Sequence, residues 1–198
     1  LNVDELTKAM LYFYQDDGTA TIRVTESRDL LLLSVDHNNR PFNNTTQLVD
    51  GKIHIACPYP LLNYIDSLEK ANGVDNSYLH EFVENIEDPK VDSVPPYCFA
   101  AHDYSNNSLK IGTDFLGFGK VYQATENKVK FFASHQAALC FVLDDLSVNK
   151  EYWHQYLTWS FPVDGSTPFE NIELMQPGAK LKFEGVKETK NIDKGLAS

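Results

Sequence analysis

Thr113-Asp-Phe-Leu-Gly-Phe-Gly-Lys-Val-Tyr122 joins two strand-like runs, Ser108 to Asp114 and Gly119 to Ala124. Asp and Gly between apolar runs are turn chemistry, so Asp114 and Leu116-Gly117 read as a strand-to-strand turn. Working outward, Tyr97 to Asp103 predicts the strand before this pair and Lys128 to Ala133 the strand after it. Asn106-Asn107 and Glu126-Asn127 are the turns between them. Four short strands joined by tight turns favour an antiparallel sheet, since parallel neighbours would need long crossovers.

The flanks extend the pattern. Leu11-Tyr-Phe-Tyr14 predicts a short strand, with Gln15-Asp-Asp-Gly18 as a hairpin turn. Thr19 to Thr25 alternates Ile22 and Val24 with polar neighbours, the period of a half-buried strand. Leu30-Leu-Leu-Leu-Ser-Val35 is a short apolar run that suits a strand covered on both faces, and Asp36 to Pro41 breaks it. Asp50-Gly51 marks a turn before a strand over Lys52 to Ala56. Leu61 to Ala71 and Ser77 to Ile86 carry helical spacing, the first stopped by Asn72-Gly73 and the second by Asp88-Pro89. Ser134 predicts an N-cap for a helix to about Phe141, and Ser147 for one over Asn149 to Trp159. Ala179 to Glu184 reads as the last strand, with Val186 to Ser198 as a polar linker or frayed tail. Strands, two helices, strands and two helices give an α+β class with antiparallel sheets.

The chain has 198 residues, long enough for one domain with a sizeable core. Its net charge of −11 argues against broad contact with a nucleic-acid backbone, which needs clustered Lys and Arg. No apolar run reaches the roughly 18–20 residues of a membrane span, and the N-terminus lacks signal-peptide character. Cys57, Cys98 and Cys140 form neither a disulfide framework nor a metal knuckle, which suits a reducing cytoplasm. The sequons at Asn43, Asn44 and Asn106 are then accidental. Cys98 and Cys140 read as small buried hydrophobes. Cys57 precedes a proline in a loop, where a reactive thiol is conceivable, with His54 near it on or close to the same strand face. His37, His80, His102, His135 and His154 show no zinc spacing. Tyr152, Trp153, Tyr156, Trp159 and Phe161 lie at helical spacing and read first as core, with a partner surface as the alternative. Asp144-Asp145 reads as a solvated helix end.

From Leu31 to Glu184 the chain resembles the glutaminase domain of asparagine synthetases. Leu32-Leu-Ser-Val-Asp36 resembles the family's Arg-Leu-Ser-Ile-Ile-Asp, and Arg40-Pro-Phe42 its Gln-Pro-Met or Gln-Pro-Phe. Leu62-Asn-Tyr64 resembles the end of Asn-Gly-Glu-Ile-Tyr-Asn-Tyr, and Asp75-Asn-Ser77 stands at Asp-Thr-Glu. Cys98-Phe-Ala-Ala-His-Asp103 resembles Phe-Ala-Phe-Ala-Leu-Trp-Asp. Asp114-Phe-Leu-Gly-Phe-Gly-Lys-Val-Tyr122 resembles Asp-Arg-Leu-Gly-Ile-Lys-Pro-Leu-Tyr. The resemblance implies the N-terminal nucleophile hydrolase fold of class II glutamine amidotransferases, a four-layer αββα sandwich with two stacked antiparallel sheets over residues 1–185, and a linker or tail over 186–198.

That family cleaves glutamine with an N-terminal cysteine whose own amine is the base. Leu1 stands first here, and Thr7 is the nearest hydroxyl. The family's oxyanion hole uses an Asn side chain and the following Gly. Pro58 and Tyr59 align there, and proline has no N–H to donate. Its Arg clamp for the substrate carboxylate aligns with Leu31. Asp75 alone matches a glutamine-contacting position, for the α-amino group. The expectation is a domain with no catalytic residues and no metal, Asp75 being a weak substrate-binding remnant. Beta-lactam synthetases, similar to asparagine synthetases, carry such a silent front domain. Asp114 and Leu116-Gly117 could alternatively line a channel toward a neighbouring domain.

The implied whole protein is an asparagine synthetase-like ligase. This stretch would hold no cofactor, while ATP and Mg²⁺ belong to a C-terminal synthetase domain of the same protein, the expected partner. A homodimer is a further expectation; nucleic acid and membrane partners are not expected. The alternative is an active amidotransferase or related hydrolase whose nucleophile lies before Leu1 or is exposed by processing. A free-standing ligand-binding module fits the acidic charge but has no residue in its favour.

Overall fold

In a computed structural model the structure describes residues 3–13, 20–36, 46–58, 84, 95–162 and 165–192. The expected turn at Gln15–Gly18, the sequons at Asn43 and Asn44, and the helices at 61–71 and 77–86 lie outside these residues, except that Glu84 is helical. The chain forms two compact units. One comprises Leu1–Tyr14 with Lys120–Met175, the other Gln15–Gly119 with Gln176–Ser198.

The larger unit is built on an antiparallel sheet of six strands: β3 (Thr46–Val49), β4 (Ile53–Ala56), β5 (Cys98–Asp103), β6 (Ser108–Thr113), β10 (Ala179–Glu184) and β11 (Lys187–Ile192). Their order is β11-β10-β6-β5-β4-β3. The turns follow the expected chemistry. Asp50 and Gly51 both have φ above zero, at 50° and 61°, the primed geometry that matches strand twist. Asn107, at φ 51°, plays the same part between β5 and β6. Lys187–Ile192 corrects the expectation of a polar tail from Val186. It pairs with β10 from Glu184↔Lys187 to Ala179↔Ile192. A charged sequence there is compatible with a strand because β11 is an edge.

Strands β1 (Thr21–Glu26) and β2 (Leu31–Asp36) form a separate two-stranded antiparallel sheet. Side chains of Thr25 and Ser34 hydrogen-bond His54 and His102, so this hairpin lies against one face of the larger sheet. The alternation of β1 is the reverse of the expected one. Ile22 and Val24 are exposed, whereas Arg23 and Thr25 are half-buried. Within β2 only Ser34 is fully buried, so the leucine run is less covered than a strand enclosed on both faces. The core of this unit includes Ile55, Cys98, Phe99, Ile111, Leu181 and Phe183.

The smaller unit holds α1 (Val3–Phe13), the sheet β8 (Val129–Ala133)–β7 (Tyr122–Glu126)–β9 (Ile172–Leu174), and helices α2 (Gln136–Cys140) and α3 (Lys150–Trp159). Leu11-Tyr-Phe13 belongs to a helix rather than the expected strand. Val3, Leu6, Met10 and Phe13 recur at three- and four-residue steps, and that longer periodicity outweighs the short apolar run. Buried Ala124, Leu139, Leu143 and Ile172 form its core, with Tyr122, Phe131 and Phe169 against them. The helix caps fall one or two residues later than expected. His135, not Ser134, caps α2, and Asn149, not Ser147, caps α3 by accepting from the Tyr152 N–H.

Candidate functional site

The turn after β6 is organised by one side chain. Asp114 is fully buried. Its Oδ1 accepts from the N–H of Leu116 at 2.9 Å and of Phe118 at 3.2 Å. Its Oδ2 accepts from Tyr97 at 3.2 Å and Gly119 at 2.5 Å. Its carbonyl accepts from Gly117 and Gly178. A carboxylate holding four N–H donors has little capacity left for a ligand. Of the two roles considered for Asp114, turn formation is the one its bonds fulfil. Gly119 is required by close approach, because a Cβ there would sit 1.9 Å from the Tyr97 carbonyl oxygen. The turn presents Leu116 and Phe118 as exposed apolar side chains.

The positions at which glutaminase chemistry was sought are split by the structure. Leu31 opens β2, paired with Glu26, and is half-buried. Pro58 lies two residues beyond the end of β4 and is half-buried. An aliphatic side chain supplies no charge for a carboxylate, and a proline supplies no N–H for an oxyanion. Thr7 lies in the middle of α1, its backbone inside a helix. Leu1, Tyr59 and Asp75 lie outside the described residues.

Cys57 is 2 % exposed and Cys98 1 %. Burial first, then the neighbouring Cys57 and Asp114, push the Cys98 thiol far up. Burial also raises Cys140. His54 cannot serve as a base for Cys57, since both its ring nitrogens are engaged elsewhere.

Those engagements form a buried polar chain that the sequence reading missed. His54 and His102 are cross-strand partners on β4 and β5, both fully buried. Thr25 Oγ1 lies 2.9 Å from His54 Nδ1 and 3.0 Å from His102 Nδ1. Ser34 Oγ lies 2.8 Å from His54 Nε2, and Ser27 Oγ 2.9 Å from His102 Nε2. Ser27 donates to Asn107 Oδ1 at 2.7 Å, and Asn107 Nδ2 donates to Asp29 Oδ2 at 2.9 Å. His54 is held down at about 4, by burial foremost and then by Arg23 and His102. His102 is also lowered by burial, against opposing contributions from the Thr25 backbone and Asp103. A signal did exist in sequence: a histidine inside each of two apolar strands, which the register sets directly opposite each other.

Among the described residues no three His, Cys, Asp or Glu side chains gather as a metal would need. No described helix is long and apolar enough to cross a membrane. The aromatic residues of α3 are not core: the helix has no buried residue, and Leu157, Trp159 and nearby Phe161 are 82 %, 59 % and 57 % exposed. Asp144 and Asp145 lie in the exposed loop after α2, their N–H groups directed at the Glu126 carboxylate.

The chain is similar to known proteins in two respects. Over 85 residues, 43 % of its length, it is 25 % identical to asparagine synthetase [glutamine-hydrolyzing] 1 of Bacillus subtilis (strain 168). In structure it matches the glutamine phosphoribosylpyrophosphate amidotransferase of B. subtilis, complexed there with ADP and GMP, at a TM-score of 0.54 and 12 % identity over 94 % of this chain. The second likeness is one of fold. It supports the expected α+β fold at a coarse level. No family model matches the chain. The match spans 13 % of the synthetase and 46 % of the amidotransferase chain.

Proposed function

We propose that the chain is a glutaminase-like domain that does not hydrolyse glutamine and instead supports an ATP-dependent, amide-forming synthetase domain of the asparagine synthetase type. The observation that carries this reading is the pair Leu31 and Pro58, at the start of β2 and just after β4. Amide cleavage needs a fixed cation for the substrate carboxylate and N–H donors for the oxyanion, each lost donor costing about 3–4 kcal/mol of transition-state stabilisation. Neither residue can supply its part. The fold likeness and the sequence likeness over 85 residues support the glutaminase-like half of the reading.

ATP and Mg²⁺ would be bound by the synthetase domain. The exposed aromatic face of α3 supports a docking role, since clustered large aromatics favour interface cores. Asp75 is kept as a remnant contact for an α-amino group.

The test is glutamate and ammonia release from glutamine by purified protein. No release above a protein-free blank is expected. Turnover abolished by a single point substitution would establish an active hydrolase, with a nucleophile placed before Leu1 or exposed by processing.

A further inference from the structure

The hydroxyl–imidazole chain has a direction, and it can be read from its outer end. Asp29 fixes the Asn107 amide: its carboxylate accepts from Nδ2, and its own N–H points to Oδ1 at 3.3 Å. Asn107 Oδ1 is therefore an acceptor, so the Ser27 hydroxyl donates to it. Ser27 Oγ must then accept from His102 Nε2–H. In neutral His102 that leaves Nδ1 as an acceptor, filled by the Thr25 hydroxyl. Thr25 Oγ1 in turn accepts from His54 Nδ1–H, and His54 Nε2 accepts from Ser34. The two histidines are thus opposite tautomers, Nδ1–H at His54 and Nε2–H at His102.

We propose that Ser34, His54, Thr25 and His102 form a proton relay with two states, in which uptake of one proton charges His102 and reverses the hydrogen bonds through Thr25. The incoming proton bonds to Ser34 Oγ, and Ser34 passes its own hydroxyl proton to His54 Nε2, which it faces. His54 Nδ1 releases its proton to Thr25 Oγ1, and Thr25 passes its own hydroxyl proton to His102 Nδ1. One N–H forms at each imidazole, one breaks at His54, and the Ser34 and Thr25 O–H bonds are each exchanged. The product is an imidazolium at His102 and a neutral His54 carrying its proton on Nε2. Ser34 now accepts, Thr25 donates to His54, and His102 donates to both Thr25 and Ser27. Every contact survives, so the change needs no movement of heavy atoms.

Electrostatics place the charge. Arg23 from β1 opposes a cation on His54, as does His102 from β5. Asp103, next along β5, and the Thr25 backbone favour one on His102. Asp29 stands beyond Asn107 at the same end of the chain. His102 therefore holds the proton, and His54 changes tautomer without charging.

Nitrogen-15 NMR of the histidine rings, followed from pH 7.5 to 4.5, tests this directly. At the upper limit His54 should be protonated on Nδ1 and His102 on Nε2. On acidification His102 should charge first, and His54 should switch to Nε2–H with the same midpoint. Thr25→Val should leave the His54 tautomer unresponsive to the His102 titration, while Thr25→Ser should restore the response. Should Thr25→Val fail to fold, the wild-type spectra decide alone. The relay is overturned if His54 charges before His102, or if its tautomer stays constant while His102 titrates.

Discussion

The carboxylate of Asp114 holds four backbone N–H groups in a site without solvent. Asp114→Ala would leave those donors unsatisfied and is expected to cost about 3–5 kcal/mol in urea unfolding; a loss below 1 kcal/mol would refute the organising role. Two glycines separate backbone freedom from space. Gly51 has φ 61° with nothing within 4 Å of an added Cβ, so Gly51→Ala should cost only about 1 kcal/mol. At Gly119 the added carbon meets backbone, and Gly119→Ala should cost about 3 kcal/mol or more, or prevent folding. Equal costs at the two sites would contradict this contrast. Buried Cys57 and Cys98 should resist a thiol reagent at pH 8 until the chain is unfolded, leaving at most Cys140 reactive in the native state. Native modification of Cys98 would show that the sheet opens there.

At the scale of elements, strands with turn signals at both ends were legible. Asn107, Asn127 and Asp50 adopt positive φ, as Asn and Asp in tight turns do. What failed was the assignment of faces. Ile22 and Val24 announced the buried side of β1, yet Thr25 is the side chain turned to the histidines. Alternation reports a period and cannot say which face the partner sheet will claim when that partner is itself polar. The aromatics of α3 misled in the same way, since helical spacing is common to a core stripe and a surface one. Because α3 buries no residue, Leu157→Ser and Trp159→Ser should each shift the thermal midpoint by no more than about 2 °C. A fall beyond about 5 °C would mean that α3 is part of the domain's packing.

For the whole molecule, acid sensitivity follows from buried neutral histidines. The His54 pKa is depressed in the folded chain, to about 4, so between roughly pH 6.5 and 4 the unfolded state binds more protons. Stability is full above this window and declines as pH falls through it, by about 3 kcal/mol from His54 alone. Asp103, raised by burial but lowered further by the hydrogen bonds from Ser105 and Asn106 together, ends below its ordinary value and adds its loss only at lower pH. Unchanged urea midpoints from pH 7 to 4.5 would contradict the neutral state. The α+β class with antiparallel sheets was legible from the segments around Asp114, because turns and strands leave local signatures. The histidine relay was not, because it depends on a register that pairs residues 48 positions apart. The non-hydrolytic reading rests on Leu31 and Pro58, and it is tested most directly by exposing the purified protein to an electrophilic glutamine analogue and measuring intact mass. The mass should remain that of the unmodified chain. A stoichiometric adduct, suppressed by excess glutamine, would reveal a nucleophile in a working glutamine site and contradict the account.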